Sequence, residues 1–344
     1  MFNLTDIDLG SRAGRLEAFR AITDEVYGSY TPGQPWKPKP YAEGKGRQAY
    51  SLVVSYSIAP LSYLWTDAFG VCNYITLACE TGEAKFLDQA DMLIDEVHDT
   101  LGRDRSGRRR LGRATDEAPT RGGLRIGKEH DEGHPDGDGQ YFHYLTKWAF
   151  ALNRMSLARR DKKYNRWAVQ LMEAIHPHFV AGRGSAHPRM FWKVSIDMSR
   201  PLVNLEGNLD WLLQEAAGGV PVLHEEMKDM ETMVRNKFRR YYSDDPLDLG
   251  EALWLSHWGL AQGEAWARLL TGRSLEALEV LWEVNPQAGA EWRQRVLELL
   301  ECWAGQIYAR DRDITPVMFC ASLVPGVWDR GYQGLQGHVQ SAEE

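Results

Sequence analysis

The amino-acid sequence predicts an all-α fold, an α/α toroid in which inner and outer helices alternate around a ring. Three observations carry this expectation: apolar residues recur at helical spacing along most of the chain, strand signals are nearly absent, and one helical pattern returns after 78 residues. A linear solenoid of the same hairpins is the alternative. Near the start, "RLEAFRAITDEVYG" (15–28) reads as an amphipathic helix. "AYSLVVSYSI" (49–58) is either one short strand or the approach to the helix that follows Pro60. "YLWTDAFGVCNYITLAC" (63–79) is apolar around nearly its whole circumference, which predicts an inner helix. After the polar turn "TGEA" (81–84), "KFLDQADMLIDEVHDTL" places Phe86, Ala90, Leu93, Ile94, Val97 and Leu101 on one face and its acids mostly on the other, the pattern of an outer helix.

The second copy follows the same order. "YFHYLTKWAFALNRMSLA" (141–158) is the inner helix, "RRDK" (159–162) the turn, and "KYNRWAVQLMEAIHPHF" the outer helix. Its Tyr164, Ala168, Leu171, Met172, Ile175 and Phe179 each fall 78 positions after their counterparts in the first copy. Two further hairpins are read from "LVNLEGNLDWLLQEAA" with "VLHEEMKDMETMVRNKFRRYY", and from "LGEALWLSHWGLAQGEAWARLL" with "EWRQRVLELLECWAGQIYA". The expectation is a single domain over residues 1–335 with a frayed tail at 336–344. Residues 102–138 break the period; charged and glycine-rich, they read as a solvated, mobile loop with an arginine cluster (Arg103, Arg105, Arg108, Arg109, Arg110, Arg113). Long loops of this kind often cover active sites, so a grip on an anionic substrate is the second reading.

Composition narrows the function. A net charge of −8 argues against a general nucleic-acid binder, and no apolar run is long enough to cross a membrane. The first residues lack the apolar core of a secretory signal, so a cytoplasmic protein is expected. Cys72, Cys79, Cys302 and Cys320 lack metal-type spacing and read as buried free thiols. Thirteen Trp and 14 Tyr either fill a large core or pave a cleft with flat faces on which sugar rings stack.

The chemistry gathers in "GGLRIGKEHDEGHPDGDGQYFHYLTKW" (122–148). Asp136 and Asp138 sit where an inner helix begins, as caps for its first N–H groups or, for Asp138 beside Tyr141 and Phe142, as a general acid facing the ring's hollow. Glu129 is a candidate second carboxylate, since glycosidic cleavage uses a pair. Asp67, an acid among apolar neighbours in the middle of an inner helix, needs a partner or a function. Arg125, Lys128, Tyr141 and His143 are candidate substrate contacts, joined by Trp192, Lys193 and Arg200 in "RMFWKVSIDMSRP" and by His257 and Trp258 in "LSHWG". "HDEGH" is not a zinc motif, because no Glu follows His130 and Gly133 and Pro135 interrupt any helix that would align His130 with His134. No metal and no cofactor are expected.

On these residues the chain resembles a known superfamily. "TGEAKFLDQADMLIDEV" (81–97) is similar to the turn-and-outer-helix signature of six-hairpin glycosidase-like proteins. "DGQYF" (138–142) resembles the aspartate-led start of an inner helix in unsaturated glucuronyl and rhamnogalacturonyl hydrolases, and "GLRIGK … DGQYFHYLTKW" resembles a bacterial group of that fold. The resemblance implies an (α/α)6 toroid and a glycoside hydrolase in which Asp138 is general acid and base, with Asp67 the one candidate by location for the family's second acid. The expected partner is a small sugar or oligosaccharide, neutral or anionic. The alternatives are a sugar epimerase or isomerase with His257 or His143 as base, and a non-catalytic carbohydrate-binding helical protein.

Overall fold

The computed structural model describes residues 12–39, 62–134, 137–203, 223–237 and 265–283, with short pieces at 241–243, 249, 252–253, 256 and 263. The described chain is mostly helical. Its helices are α1 (Arg12–Tyr27), α2 (Leu64–Thr81), α3 (Lys85–Thr100), α4 (Phe142–Arg159), α5 (Lys162–Phe179), α6 (His224–Lys237) and α7 (Ala265–Glu283). Four two-residue strands pair antiparallel: β1 (Gln140–Tyr141) with β4 (Lys193–Val194), and β2 (Val180–Ala181) with β3 (Arg189–Met190). The segments 49–58 and 204–217, and the helix expected from "EWRQRVLELLECWAGQIYA", lie outside the described residues, as does the tail.

The chain divides into two compact units. One holds residues 20–237, and the other holds residues 3–19 together with 238–344. In the second, Thr271 Oγ1 donates to Ser256 Oγ at 2.8 Å and Arg273 Nη1 to the Tyr241 carbonyl at 3.1 Å, above a core that includes Leu253, Leu270 and Leu275. α7 runs unbroken through Gly272, where the sequence reading left a gap between hairpin helices. The inward period of Leu270, Ser274 and Leu275 carries the helix across that gap.

In the larger unit the repeat is physical. α2 and α4 are both 18 residues long and start 78 positions apart. α2 packs along α3 and α4, and α4 along α2 and α5, so the two apolar helices lie side by side with an amphipathic helix against each. All six repeated apolar positions are buried in both copies, from Phe86 and Tyr164 to Leu101 and Phe179. Each such side chain larger than alanine contributes about 1.5–3 kcal/mol by leaving water. Across the outer surface, Arg159 Nε donates to Asp91 at 2.8 Å and its Nη2 to Asp88 at 2.5 Å, tying the end of α4 to α3. Tyr164 OH also donates to Asp91.

The two inner helices start and stop at equivalent positions of the repeat, with a different residue at the stop. α2 stops at Gly82 in the left-handed region (φ 73°), while the equivalent position after α4 is Arg160 at φ 56°. Leu64 N and Phe142 N, the first N–H of each inner helix, donate to the carbonyls of Ile126 and Trp192, so the segment leaving each hairpin folds back over the start of its own inner helix. Asp161 caps α5 by accepting from Lys163 N at 2.9 Å.

Candidate functional site

Residues 102–134 and 137–138 are neither structureless nor free. Arg110 Nη1 donates to His98 O at 2.6 Å and Arg125 Nη2 to Thr100 O at 3.0 Å, closing the carbonyl end of α3 with two guanidinium groups. Arg105 reaches the carbonyls of Lys128 at 2.8 Å and His130 at 3.0 Å, that of Glu129 as well, and pairs with Asp131 at 2.9 Å. The expected solvated, mobile loop is therefore corrected in part: Arg105, Arg110 and Arg125 are engaged on backbone carbonyls that would otherwise be orphaned, while Arg108, Arg109 and Arg113 stay exposed.

Asp138 is the anchor of this network. Its carboxylate is wholly buried; Oδ2 accepts from Arg125 Nη1 at 2.5 Å and Arg105 Nη1 at 3.2 Å. Oδ1 accepts from Gly139 N at 3.0 Å, Gly127 N at 3.1 Å and Lys128 N at 3.4 Å. It does not cap α4, whose N-cap is Tyr141. Two residues on, Gln140 is equally buried, accepting from Leu124 N at 3.1 Å and donating to Gly122 O at 3.0 Å and Ile196 O at 2.7 Å. Gly123, at φ 72°, lies so close to this amide that a Cβ would sit 1.8 Å from Gln140 Oε1. The acids, bases and glycines ahead of α4 thus form a polar core that holds one long connection in a single shape.

Asp67 proves to lie in the first turn of α2 rather than its middle. Buried, it accepts from Tyr63 N at 3.0 Å, satisfying the N–H of the residue that precedes the helix. Arg125 is buried, with all three guanidinium nitrogens engaged, its Nε on Arg103 O at 2.7 Å. Lys193 Nζ donates to Gly137 O at 2.5 Å. Glu129 is half-buried, and Arg200 is exposed, its backbone paired with Ser195. Asp136, His257 and Trp258 lie outside the described residues. His130 and His134 stack on each other at 4.1 Å, and among the described residues no cluster of three metal-type side chains occurs. Cys72 is half-buried and Cys79 exposed, both free; the expectation that they are buried fails for Cys79.

Four candidate and neighbouring rings do come together. Trp65 of α2 stacks on His143 of α4 with centroids 4.5 Å apart and planes within 9°. His143 lies 5.5 Å from Tyr141, and Tyr141 meets Trp192 edge-on at 5.4 Å. Behind this row, Tyr63 and Tyr144 share a hydroxyl hydrogen bond of 2.9 Å, and the buried Lys147 ammonium lies 4.3 Å from the centre of the Trp65 ring. Tyr141, His143 and Trp192 are partly exposed, whereas Trp65 is buried. The indole N–H groups of Trp65 and Trp192, at the two ends of the row, are buried with no hydrogen-bond partner among the described residues. An unmatched buried donor costs about 1–3 kcal/mol; Trp65 carries its own deep in the fold, stacked on His143, whereas the Trp192 ring is partly exposed.

Sequence reasoning missed Trp65, Lys147, Arg105 and Gln140 as organising residues. The repeat itself held the signal for Trp65, which stands 78 positions before His143, as Tyr63 does before Tyr141. No protein-family model, no curated protein and no solved structure matches this chain. No helix among the described residues is long and apolar enough to cross a membrane.

Proposed function

We propose that this chain is a carbohydrate-active protein on an (α/α)6 toroid, with the row Trp65–His143–Tyr141–Trp192 as its sugar site and His143 as the proton-transferring group. The row is the observation that carries the reading. Sugar rings pair C–H faces with aromatic planes, and their oxygens accept from indole N–H groups. His143 is a titratable group in the row and is partly open to solvent. The reaction class is that of a sugar epimerase or isomerase: a base takes a proton from the carbon next to a carbonyl and the same proton inventory is returned to the sugar, so no second carboxylate is needed. Hydrolysis by Asp138 and Asp67 is the weaker reading, because both carboxylates are buried and already accept backbone N–H groups. Side-by-side inner helices with an outer helix against each support the toroid.

The test is incubation of the purified chain with a panel of aldoses, ketoses and short oligosaccharides in D2O, followed by NMR. Deuterium entering the sugar, lost in His143→Asn while Trp192→Ala weakens binding, is the expected result. Release of new reducing ends that disappears in Glu129→Gln would replace this reading by the hydrolase. Absence of binding by every sugar would overturn it.

A further inference from the structure

We infer that the outward arginines of the 102–125 connection form a docking surface for an acidic polypeptide segment, a run of Asp and Glu side chains on a partner protein. The connection carries eight arginines against three acids, in a chain whose net charge is −8. The arginines divide into two groups. Arg103, Arg105, Arg110 and Arg125 are turned to carbonyls and carboxylates of the protein itself. Arg108, Arg109, Arg113 and Arg121 are exposed and, among the described residues, make no side-chain hydrogen bond or ion pair.

Their backbone is fixed. Arg109 O accepts from Asp104 N at 2.8 Å, Leu111 N donates to Gly102 O at 3.0 Å, and Arg121 N donates to Ala118 O at 3.3 Å. Gly112 packs against Gly122, which brings the Arg113 turn beside the Arg121 turn. A rigid frame that presents free guanidinium forks loses little backbone entropy on binding, and each fork matches a carboxylate in bidentate fashion. Nearby acids do not cancel this charge fully: Asp116 is held by Arg110 at 2.8 Å and Asp104 by Ser106 and the Arg108 N–H.

The rest of the surface selects the partner. The segment 102–125 contains no aromatic residue, so neither bases nor sugar rings find a stacking face there. The Trp167 ring, which touches it, has its N–H on Glu117 O and meets His98 and Tyr164 with planes nearly perpendicular. Leu111 is buried, leaving no apolar anchor of the kind a membrane surface requires. Charge and fork geometry remain, and they suit carboxylates on a flexible chain. This surface is separate from the aromatic row and stands whether or not that row binds sugar.

The test uses the full-length protein and a fluorescein-labelled twelve-residue oligoglutamate, followed by anisotropy from low to physiological salt. Binding is expected at low salt, weakening as salt rises, and falling about tenfold in the triple variant Arg108→Gln, Arg109→Gln, Arg113→Gln, at roughly twofold per exposed pair. Arg166→Gln on α5, also exposed, is the control and leaves binding unchanged. Since these side chains have no partner among the described residues, circular dichroism of the triple variant should match the parent. No binding at low salt, equal loss in the control, or tighter capture of oligothymidylate or polygalacturonate than of oligoglutamate would overturn the proposal.

Discussion

Replacing Asp138 by Asn tests whether the residue is an anchor or a reacting group. The substitution removes the charge opposite Arg125, whose guanidinium is 7% exposed, and sets an NH2 group among donors. Breaking one side of a buried ion pair costs about 3–5 kcal/mol; the amide oxygen keeps the N–H groups of Gly127 and Gly139, while the NH2 group faces the Arg125 and Arg105 donors. That loss is a large part of the 5–15 kcal/mol that typically holds a domain together. At about 2–4 °C per kcal/mol for a unit of some two hundred residues, the melting temperature should drop by about 6–20 °C. Calorimetry measures that drop, and hydrogen exchange should show amides of 122–140 opening first. An Asn variant with the parent's melting temperature but no turnover would refute the anchoring argument and restore Asp138 as an acid–base group.

Arg160→Gly should stabilise by about 0.5–1 kcal/mol, read from urea midpoints, because the left-handed φ of 56° strains an arginine and not a glycine. Gly70→Ala should destabilise by roughly 1–3 kcal/mol, since its Cβ would stand 2.3 Å from the Tyr27 hydroxyl, itself fixed on Thr66 O; adding Tyr27→Phe should recover part of the loss. Burial, then the nearby Arg110 charge, pushes the His98 ring down to about 3, where its Nε2 accepts from Trp148 Nε1 at 3.1 Å. The unfolded ring binds a proton below about 6.5 and the folded one does not, so His98 favours folding fully above that pH. As pH falls from 6.5 toward 3 this contribution is lost, by up to about 1.4 kcal/mol per unit. NMR should show no His98 titration between pH 7 and 4 in the folded protein, and a ring that titrates there would refute the assignment.

What the sequence made legible was period, and what it concealed was partnership. Leu93, Ile94 and Val97 announce the buried face of α3 because burial of one helix face is a local matter of spacing. Asp138 and Asp67 could be seen to need partners, yet the partners lie where no period points: Arg105 is 33 residues away, and Tyr63 N lies within a turn whose start was placed too early. The same composition, Gly, Arg and Asp without period, describes a solvated loop and a loop closed on its own carbonyls. Only the count of unsatisfied helix-end groups separates them, and that count requires coordinates. His130 and His134, whose spacing does not make a zinc motif, stack on each other at 4.1 Å, a contact no period points to.

The repeat also explains why the aromatic row sits where it does. Two copies of a hairpin put equivalent positions of α2 and α4 side by side, so Trp65 and His143 are each other's repeat mates as well as stacking partners. The mates His98 and His176 take the opposite course: both are buried in the outer helices, His98 on Trp148 and His176 on Asp229 at 3.2 Å. In His176 burial pushes the ring down while Asp229 pulls it up, and the net direction is down, so both rings are held neutral by their surroundings. At His98 and His176 the copies keep the same residue, and at the six repeated apolar positions four pairs change residue while staying apolar or aromatic. Where Trp65 meets His143 they diverge, one copy supplying a flat apolar face and the other a titratable ring with partial access to water. Packing alone does not call for that difference, since two aromatic residues would stack as well. A ligand that needs a face and a proton carrier does call for it, and Trp65→His with His143→Trp separates the two causes. Packing would survive the swap with an unchanged melting temperature, whereas sugar exchange would fail because the imidazole would then be the buried partner.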